Sequence, residues 1–359
     1  MLICRRMRAI PGALAPLLYI PGLIFEAMVR VRGFLYSASL MRPRRLPAPV
    51  ISVGNLTAGG SGKTPLVIYI ARRILDLEMN PVILSRGYGR QSPGRNWILA
   101  PGTVVPSPAR MLGDEPALMR RHLPSAWMGI SKNRFQAGKD VARKCTRAVF
   151  ILDDGFQHRK LHRDLDLVVV DQSQALSSNR ILPRGTLREP LSELRRSHWV
   201  VINGATDREK ADLLESEIQS LHAKARIFSC TQTIKCLIPF SVWLQNQNAS
   251  SSTEAPRSAY LVSALGNPDR FERDIRQLGI EIRGHRCFSD HYWLKEKDWF
   301  HCAQQARTLL AEAMITTEKD AVKIAQPPDF PLLVGVQSTH IANASVFDLA
   351  LKQKLEGRS

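Results

Sequence analysis

Residues 54–64 read Gly-Asn-Leu-Thr-Ala-Gly-Gly-Ser-Gly-Lys-Thr. The apolar run APVISV at 48–53 predicts a buried strand before them, and residues 65–75 predict a helix after them. Strand, glycine-rich loop, Gly-Lys-Thr and helix follow in the order that a phosphate-binding loop (P-loop) requires. Its glycines let backbone N–H groups point at phosphate oxygens, and the helix N-terminus adds a favourable dipole. The stretch therefore predicts a nucleotide site, although Thr57 stands where the pattern G-x-x-x-x-G-K-S/T has its first glycine.

The P-loop also supplies two side chains with predicted roles. Lys63 would reach the β- and γ-phosphates of a nucleotide, and the hydroxyl of Thr64 would bind Mg²⁺. A glycine-rich turn before a helix is the simpler alternative, but the flanking strand and helix favour the P-loop. The predicted cofactor-binding residues of this loop are Thr57, Ala58, Gly59, Gly60, Ser61, Gly62, Lys63 and Thr64.

A second apolar run, AVFIL at 148–152, ends in the sequence DDGFQH. Its two acids, Asp153 and Asp154, would stand at the end of a buried strand beside the P-loop, where the acid associated with Mg²⁺ is found. Two adjacent carboxylates are too costly to bury unpaired, and a nearby cation relieves that cost. Asp-Gly also favours solvated turns, but next to a P-loop the sequence favours a metal site.

Further apolar runs at 165–171 and 199–203 continue the alternation of strands and helices. This alternation predicts an α/β fold with a mostly parallel sheet and helices on both faces. Ligands bind at the carboxyl ends of the strands in such folds, and Arg134 is a candidate phosphate clamp there. The loops expected at that edge are SRGYGR at 85–90, LGDEP at 112–116, SKNR at 131–134 and LPRGTLREP at 182–190.

The carboxyl half of the sequence predicts a second, smaller α/β domain. Before it, residues 226–258 lose clear periodicity and include a polar patch, which favours an interdomain connection. His291 follows an acid at the end of a predicted strand that would face the P-loop, although a lone histidine is more often structural. The predicted organisation is a membrane-associated segment at 1–45, a P-loop domain at 46–225, the connection at 226–258 and a C-terminal α/β domain at 259–345.

The amino end combines apolar residues with arginines. Every residue from 9 to 25 is apolar, Gly or Pro, and residues 1–45 carry eight arginines against one glutamate. The run is slightly shorter than the ~20 residues that a spanning helix needs, and three prolines interrupt it, so that a helix is expected only from Pro21 onward. This pattern predicts a segment that lies in a membrane interface rather than a signal peptide, a single span or a core helix.

Composition further limits the kinds of partner and site that are expected. The chain has 359 residues with 50 Lys plus Arg and 32 Asp plus Glu, a net charge of +18, which favours an anionic partner. Its six cysteines form no CxxC pair, which argues against structural zinc. Aromatic residues make up 7%, and no nucleic-acid-binding motif is present, so nucleic acid is not the expected partner.

Seven motifs together carry a resemblance to a known family. In chain order they are GNLTAGGSGKTP, SRGYGR, GDEP, DDGFQH, LPRGTLREP, SDHYWL and TTEKDAVK. This set closely resembles the tetraacyldisaccharide 4'-kinases, the lipid A 4'-kinases of Gram-negative bacteria, from about residue 10 to residue 336. The combination of DDGFQH with LREP and TEKDAVK is not a general feature of P-loop proteins. The sequence departs from the family motifs at Ser61, Arg184 and Thr186, and these departures remove no reacting group.

The resemblance implies a two-domain kinase on the cytoplasmic face of the inner membrane. Such a kinase transfers the γ-phosphate of ATP, with Mg²⁺, to the 4'-hydroxyl of a tetraacylated glucosamine disaccharide 1-phosphate. The partners implied are ATP, this anionic lipid and the membrane surface. The alternative function is a membrane-attached P-loop nucleotide switch or binding protein. A guanine-specific switch should contain Asn-Lys-x-Asp, and the nearest string, Thr-Glu-Lys-Asp at 317–320, does not fit.

The resemblance also assigns roles to residues at the matching positions. The GDEP and SDH motifs correspond to a dyad in which Asp114 accepts the hydroxyl proton and His291 orients or relays it. Either Asp114 or Asp154 could be the base on the sequence alone. Lys63 would neutralise charge on the transferred phosphoryl group. The remaining implied site residues are Thr64, Glu115 and Asp153 for the metal, Arg134 for phosphoryl charge, and Gln157 beside Asp154.

Overall fold

The fold is taken from a computed structural model, which describes residues 18–91, 94–173, 176, 179–205, 207–245 and 254–357. The first 17 residues of the predicted membrane-associated segment therefore lie outside the described part of the chain. The strands are β1 Val50–Gly54, β2 Asn80–Ser85, β3 Trp97–Leu99, β4 Trp127–Ile130, β5 Ala148–Asp153, β6 Leu165–Asp171, β7 Trp199–Asn203, β8 Arg226–Pro239, β9 Ser258–Ser263, β10 Glu281–Cys287, β11 Ala313–Thr317 and β12 Leu332–Ile341. The helices are α1 Tyr19–Ser37, α2 Lys63–Asp76, α3 Pro108–Leu112, α4 Asp114–His122, α5 Arg134–Ala142, α6 Arg208–Leu221, α7 Phe240–Leu244, α8 Pro268–Gln277, α9 Glu296–Thr308, α10 Glu318–Ala321 and α11 Ala344–Glu356.

All twelve of these strands belong to one sheet, in the order β10-β9-β11-β12-β8-β7-β6-β1-β5-β2-β4-β3. Only the pairs β3·β4 and β8·β12 are antiparallel. Strand β1, which leads into the P-loop, lies between β5 and β6. Because parallel strands end at the same edge of a sheet, the loops after β1, β2 and β5 meet there.

The middle of the sheet is buried on both faces, as parallel sheets covered by helices are. Along β5, Val149 and Ile151 pack into the core beneath α2, whereas Phe150 and Leu152 pack into the core beneath α5. This alternation follows from the two-residue period of side chains along a strand. It explains why β5 and its neighbours read as continuous apolar runs in the sequence.

The segment predicted as an interdomain connection contains a long strand. β8 pairs in parallel with β7 through Arg226–Cys230 and antiparallel with β12 through Cys230–Pro239. The sheet therefore passes without interruption from the P-loop half (β1–β7) to the C-terminal half (β8–β12). The sequence obscured β8 because Gln232, a polar residue, stands at a buried position and interrupts its apolar alternation. Residues 246–253 of the predicted connection lie outside the described ranges, and the domain boundaries stay a prediction.

Helix α1 begins at Tyr19, two residues before the predicted Pro21, which the first turn of a helix tolerates. One side of α1 packs on the P-loop half, with Gly22 against the side chain of Arg184 and Arg32 paired with Glu189. The opposite side leaves six large apolar side chains between 44% and 67% exposed: Ile20, Leu23, Ile24, Met28, Val31 and Phe34. Within the described ranges, no helix combines the length and the hydropathy needed to cross a membrane.

Candidate active site

The P-loop is fixed by side chains from the neighbouring strands. The amide Nδ2 of Asn203 donates to the carbonyl of Ser61 at 2.9 Å, and Nε2 of Gln232 donates to the carbonyl of Gly62 at 2.7 Å. Gly62 has a φ of +80°, and a Cβ there would collide with both amides. This position therefore requires glycine. The loop holds the first turn of α2, with its free N–H groups, at the carboxyl edge of the sheet.

The predicted nucleotide-binding residues of the loop divide into two groups. The stretch from Gly59 to Thr64 lines a cleft at the carboxyl edge of the sheet. Thr57 is buried and bridged to Leu187, and the N–H of Ala58 donates to the carbonyl of Thr186 at 2.7 Å. Thr57 and Ala58 thus contact the LPRGTLREP segment instead of facing the cleft, because the chain begins to curl towards the cleft only at the following glycines.

Asp154 lies between two cations. The Nζ of Lys63 lies 3.4 Å from its Oδ1, and Arg188 donates to its Oδ2 at 2.9 Å. Burial alone would raise the pKa of Asp154, but Lys63 and Arg188 outweigh it and hold the pKa below its usual value. Asp154 is therefore ionised and engaged by the residues that would meet phosphate. Its φ of +47° is uncommon for a residue other than glycine.

Asp153, the last residue of β5, has the opposite electrostatics. The hydroxyl of Ser85 donates to its Oδ2 at 2.9 Å, while its buried Oδ1 has no hydrogen-bond partner. Burial, with the nearby carboxylates of Glu115 and Asp154, raises the pKa of Asp153 to about 7. A divalent cation fits this site, because it would supply the missing partner and relieve the repulsion between the carboxylates.

Glu115 and the Thr64 hydroxyl complete the predicted metal set, and both residues line the same cleft as Asp153. Across the described ranges, no cluster of three or more acidic, histidine or cysteine side chains is arranged to hold a metal. Mg²⁺ characteristically takes one or two carboxylates and completes its shell with water and substrate phosphates. The residues present therefore suit Mg²⁺ that arrives with a nucleotide.

Asp114 and His291 meet across the cleft, although 177 positions separate them in the chain. Nδ1 of His291 lies 2.8 Å from Oδ2 of Asp114, and the ring edge packs against Tyr88 at a centroid distance of 5.0 Å. Asp114 opens α4 after Gly113, while His291 follows β10 and has a φ of +61°. Burial would raise the pKa of Asp114, but the His291 hydrogen bond and the charge of Lys319 hold it below its usual value.

The other two predicted residues also line the cleft. Arg134 is buried at the start of α5, and its guanidinium donates to the carbonyl of Asp154 at 3.3 Å. Gln157 donates through Nε2 to the carbonyl of Asn55 at 2.9 Å, so it ties the DDGFQH loop to the P-loop.

Among the cleft residues that received no individual role from the sequence are Arg188, Asp290 and Lys319. Each belongs to a motif that the sequence made visible, namely LREP, SDH and TEKD. The signal that was available is that Asp290 and Lys319 are charged residues shortly after an apolar run, and that Arg188 lies in a loop that contains glycine and proline. Their partners could not be read from it, because Arg188 meets Asp154 and Lys319 meets Glu115 only in the folded chain.

The cleft has a volume of about 1440 Å³ and lies between the two halves of the sheet. A pocket for one small ligand typically measures ~300–1000 Å³, so this cleft has room for two substrates. The cleft thus combines a P-loop, a carboxylate beside its lysine and His291, which is in contact with buried Asp114. This combination defines a nucleotide-dependent phosphotransferase of the P-loop class.

Comparison with known proteins identifies the family within this class. The family model for tetraacyldisaccharide-1-P 4'-kinase, LpxK, matches residues 14–356. The chain is 35% identical over 303 residues to the tetraacyldisaccharide 4'-kinase of Desulfotalea psychrophila, covering 84% of this chain and 85% of that protein. The corresponding enzyme of Halothermothrix orenii is 35% identical over 312 residues, with coverages of 84% and 81%. The chain belongs to the tetraacyldisaccharide 4'-kinase family.

A solved structure supports the same assignment. The crystal structure of LpxK from Aquifex aeolicus in complex with ATP superposes with a TM-score of 0.72 and 30% sequence identity, covering 95% of this chain and 99% of that one. The likeness confirms the predicted α/β fold, and the family match confirms the resemblance read from the seven motifs.

Proposed function

We propose that the protein transfers the γ-phosphate of ATP to the 4'-hydroxyl of a tetraacylated glucosamine disaccharide 1-phosphate, the lipid A precursor. The observation that carries this function is the 2.8 Å contact between buried Asp114 and His291, which lines the same cleft as the P-loop. A P-loop alone would serve a nucleotide switch equally well. A carboxylate held by a histidine is what a hydroxyl acceptor needs, because a sugar hydroxyl is a poor nucleophile without a positioned base.

Asp114 is the proposed base. It is ionised, its Oδ1 accepts the backbone N–H of Glu115 at 2.9 Å, and its Oδ2 faces Nδ1 of His291. Each carboxylate oxygen has a second lone pair that can accept the hydroxyl proton. Asp154, the other candidate on the sequence, is paired with Lys63 and Arg188, which makes it the weaker base.

The charge that develops on the phosphoryl group needs cations around it. Lys63 and Arg188 stand beside Asp154, and buried Arg134 lies against its backbone. Thr64, Glu115 and Asp153 would hold Mg²⁺, whose charge, when it is bound, offsets that of the β- and γ-phosphates. The protein residues then orient the two substrates and keep the proton acceptor in place.

The acceptor reaches the cleft from a membrane. The exposed apolar side of α1 and the arginines that flank it suit insertion at the cytoplasmic surface of the inner membrane, with anionic headgroups around it. The residues after α1 lead to the cleft, since the N–H of Arg44 donates to the carbonyl of Lys160 at 2.9 Å just beyond DDGFQH. Arg42, Arg44 and Lys160 line the cleft on this side.

The test is incubation of purified protein with ATP, Mg²⁺ and the disaccharide 1-phosphate lipid in detergent micelles. We expect a bisphosphorylated lipid by mass spectrometry, with ATP preferred to GTP, and the Lys63→Ala variant as the inactive control. Nucleotide hydrolysis without a phosphorylated lipid, or a preference for GTP, would instead support the nucleotide switch.

A further inference from the structure

Lys319 belongs to TEKDAVK, a family motif to which the proposed reaction assigns no role. Its Nζ lies 3.0 Å from Oδ1 of Asp290, 3.4 Å from Oε1 of Glu115 and 3.4 Å from Nε2 of His291. Glu115 comes from α4 in the P-loop half, whereas Asp290 and His291 come from the turn after β10 in the C-terminal half. A single ammonium group therefore touches both sides of the cleft at the dyad.

The backbone that presents Lys319 is held firmly. The hydroxyl of Thr317 caps α10 by accepting the N–H of Asp320 at 3.1 Å, and buried Asp320 accepts the N–H of Ala264 at 3.0 Å. Lys323 pairs with Asp320 at 2.7 Å. The turn is thus fixed to the C-terminal half, and Lys319 has little freedom to choose other partners.

Lys319 stays charged in this position. Burial alone would lower the pKa of Lys319, but the carboxylates of Glu115, Asp114 and Asp290 outweigh it and hold the pKa above its usual value. Its side chain is 17% exposed, so water screens these contacts little.

The contacts of Lys319 also define the hydrogen placement on His291. Nδ1 faces ionised Asp114 at 2.8 Å and must carry a hydrogen, because two acceptors would repel at that distance. Nε2 has two oppositely charged neighbours, the ammonium group of Lys319 at 3.4 Å and Oδ2 of Asp290 at 3.8 Å. Burial would lower the pKa of His291, but the hydrogen bond to Asp114 and the charges of Asp114 and Asp290 outweigh burial and Lys319 and hold it above its usual value. Lys319 therefore opposes the hydrogen on Nε2 that Asp290 favours.

We propose that Lys319 is a positioning residue for phosphoryl transfer, which holds Glu115 and the Asp290–His291 turn together and opposes a hydrogen on Nε2 of His291. His291 then donates to Asp114 and leaves Asp114 as the proton acceptor. This inference rests on the proposed kinase function and decides between the two dyad roles: His291 orients and Asp114 accepts. Lys319 itself contacts neither substrate in this assignment.

The variants Lys319→Met and Lys319→Arg test this role, with the exposed Lys297→Met as the matched control. We expect Lys319→Met to lower kcat by ~10- to 100-fold, as loss of a partner that orients a reacting group does. The KM for ATP should stay within about twofold, because the nucleotide contacts are elsewhere. Lys319→Arg keeps the charge and should restore much of kcat, and Lys297→Met should match the wild type. An unchanged kcat in Lys319→Met, or an equal loss of ATP affinity, would overturn the proposal.

A readout independent of turnover is the ¹⁵N spectrum of the histidine rings, with His291→Gln to assign the signals. We expect Nδ1 to carry a hydrogen in both proteins, and Nε2 to gain its hydrogen at a higher pH in Lys319→Met than in the wild type, because a nearby positive charge is removed. An unchanged titration of Nε2 would refute the assigned role even if kcat falls. If Lys319→Met does not fold, Asp290→Asn decides, since it weakens the hold on Lys319 and should lower kcat in the same direction. A wild-type protein that phosphorylates no lipid would refute the proposed function. The ring spectrum would still test the effect of Lys319 on His291 in that case.

Discussion

Replacement of Asp153 by asparagine should change how stability depends on pH in the metal-free protein. Burial and the carboxylates of Glu115 and Asp154 raise the pKa of Asp153 from 3.8 to about 7 in the folded state. A folded-state pKa above the unfolded value means that the folded protein holds the proton more tightly. The stability that this group contributes is present at pH values below its unfolded pKa and is lost as pH rises through the folded pKa.

The size of the effect follows from the shift. The pKa difference of ~3 units, at ~1.4 kcal/mol per unit, means that the free energy of unfolding loses ~4 kcal/mol in total as pH rises. Of this loss, ~2–3 kcal/mol occurs between about pH 5 and about pH 8. Asp153→Asn cannot titrate at this position, and groups remote from the site titrate alike in both proteins. The free energy of unfolding of the wild type should therefore fall relative to Asp153→Asn over that interval.

The assay is chemical denaturation in EDTA at several pH values, under identical detergent conditions. Glu115→Gln removes one carboxylate that raises the pKa of Asp153, so its curve should lie between those of the wild type and Asp153→Asn. Added Mg²⁺ should stabilise the wild type at high pH far more than Asp153→Asn, because the cation takes the place of the proton. Parallel pH curves for the wild type and Asp153→Asn in EDTA would refute the assigned environment of Asp153.

Three further outcomes are expected. Lys63→Ala should lower kcat by ~100-fold or more, since it removes a charge from the transferred phosphoryl group; near-normal turnover in a folded variant would remove the P-loop assignment. Deletion of residues 1–35 should release the protein from anionic vesicles, whereas high salt should not release the intact chain, because apolar contacts are unscreened; a truncated protein that still sediments with vesicles would place the attachment elsewhere. Asp114→Ala and His291→Ala should each lower kcat strongly at saturating ATP, and the double variant should be scarcely worse than the worse single one; multiplicative losses would mean independent roles and would favour Asp154 as the base.

The sequence was most informative where the structure is local. The P-loop, its strand and its helix are contiguous, so spacing and composition were enough to place Lys63 and Thr64 at the edge of the sheet. Spacing does not reveal, however, which residues of the loop face the cleft. Thr57 and Ala58 lie within the loop by their spacing and yet contact the LPRGTLREP segment, because that segment runs beside the loop only in the folded chain.

Contacts between distant parts of the chain could not be derived in this way. Nothing in the spacing of Asp114 and His291 predicts their 2.8 Å contact, and only the family resemblance paired them. Strand β8 was missed as a strand for a different reason. The polar side chain of Gln232 is buried and holds the P-loop by donating to the carbonyl of Gly62. A polar residue at a buried position breaks the apolar alternation that marks a strand.

Charged contacts with the C-terminal half hold helix α4 at both of its ends. Its first turn carries Asp114 and Glu115, and its last residue, His122, contacts Glu318 at 2.9 Å. The adjacent residues Glu318 and Lys319 of the TEKD turn therefore hold α4 at both ends, the second through Glu115. A helix fixed at two points to the opposite half cannot rotate the base away from His291 without breaking both contacts.

The LREP segment makes a second connection of the same kind. Arg188 pairs with Asp154 beside Lys63, and its neighbour Glu189 pairs with Arg32 on α1. One short stretch is therefore bound both to the nucleotide site and to the helix whose apolar side faces outward. An enzyme that takes ATP from water and its acceptor from a membrane must bring two phases to one point. Here the two attachments fix that point relative to the sheet.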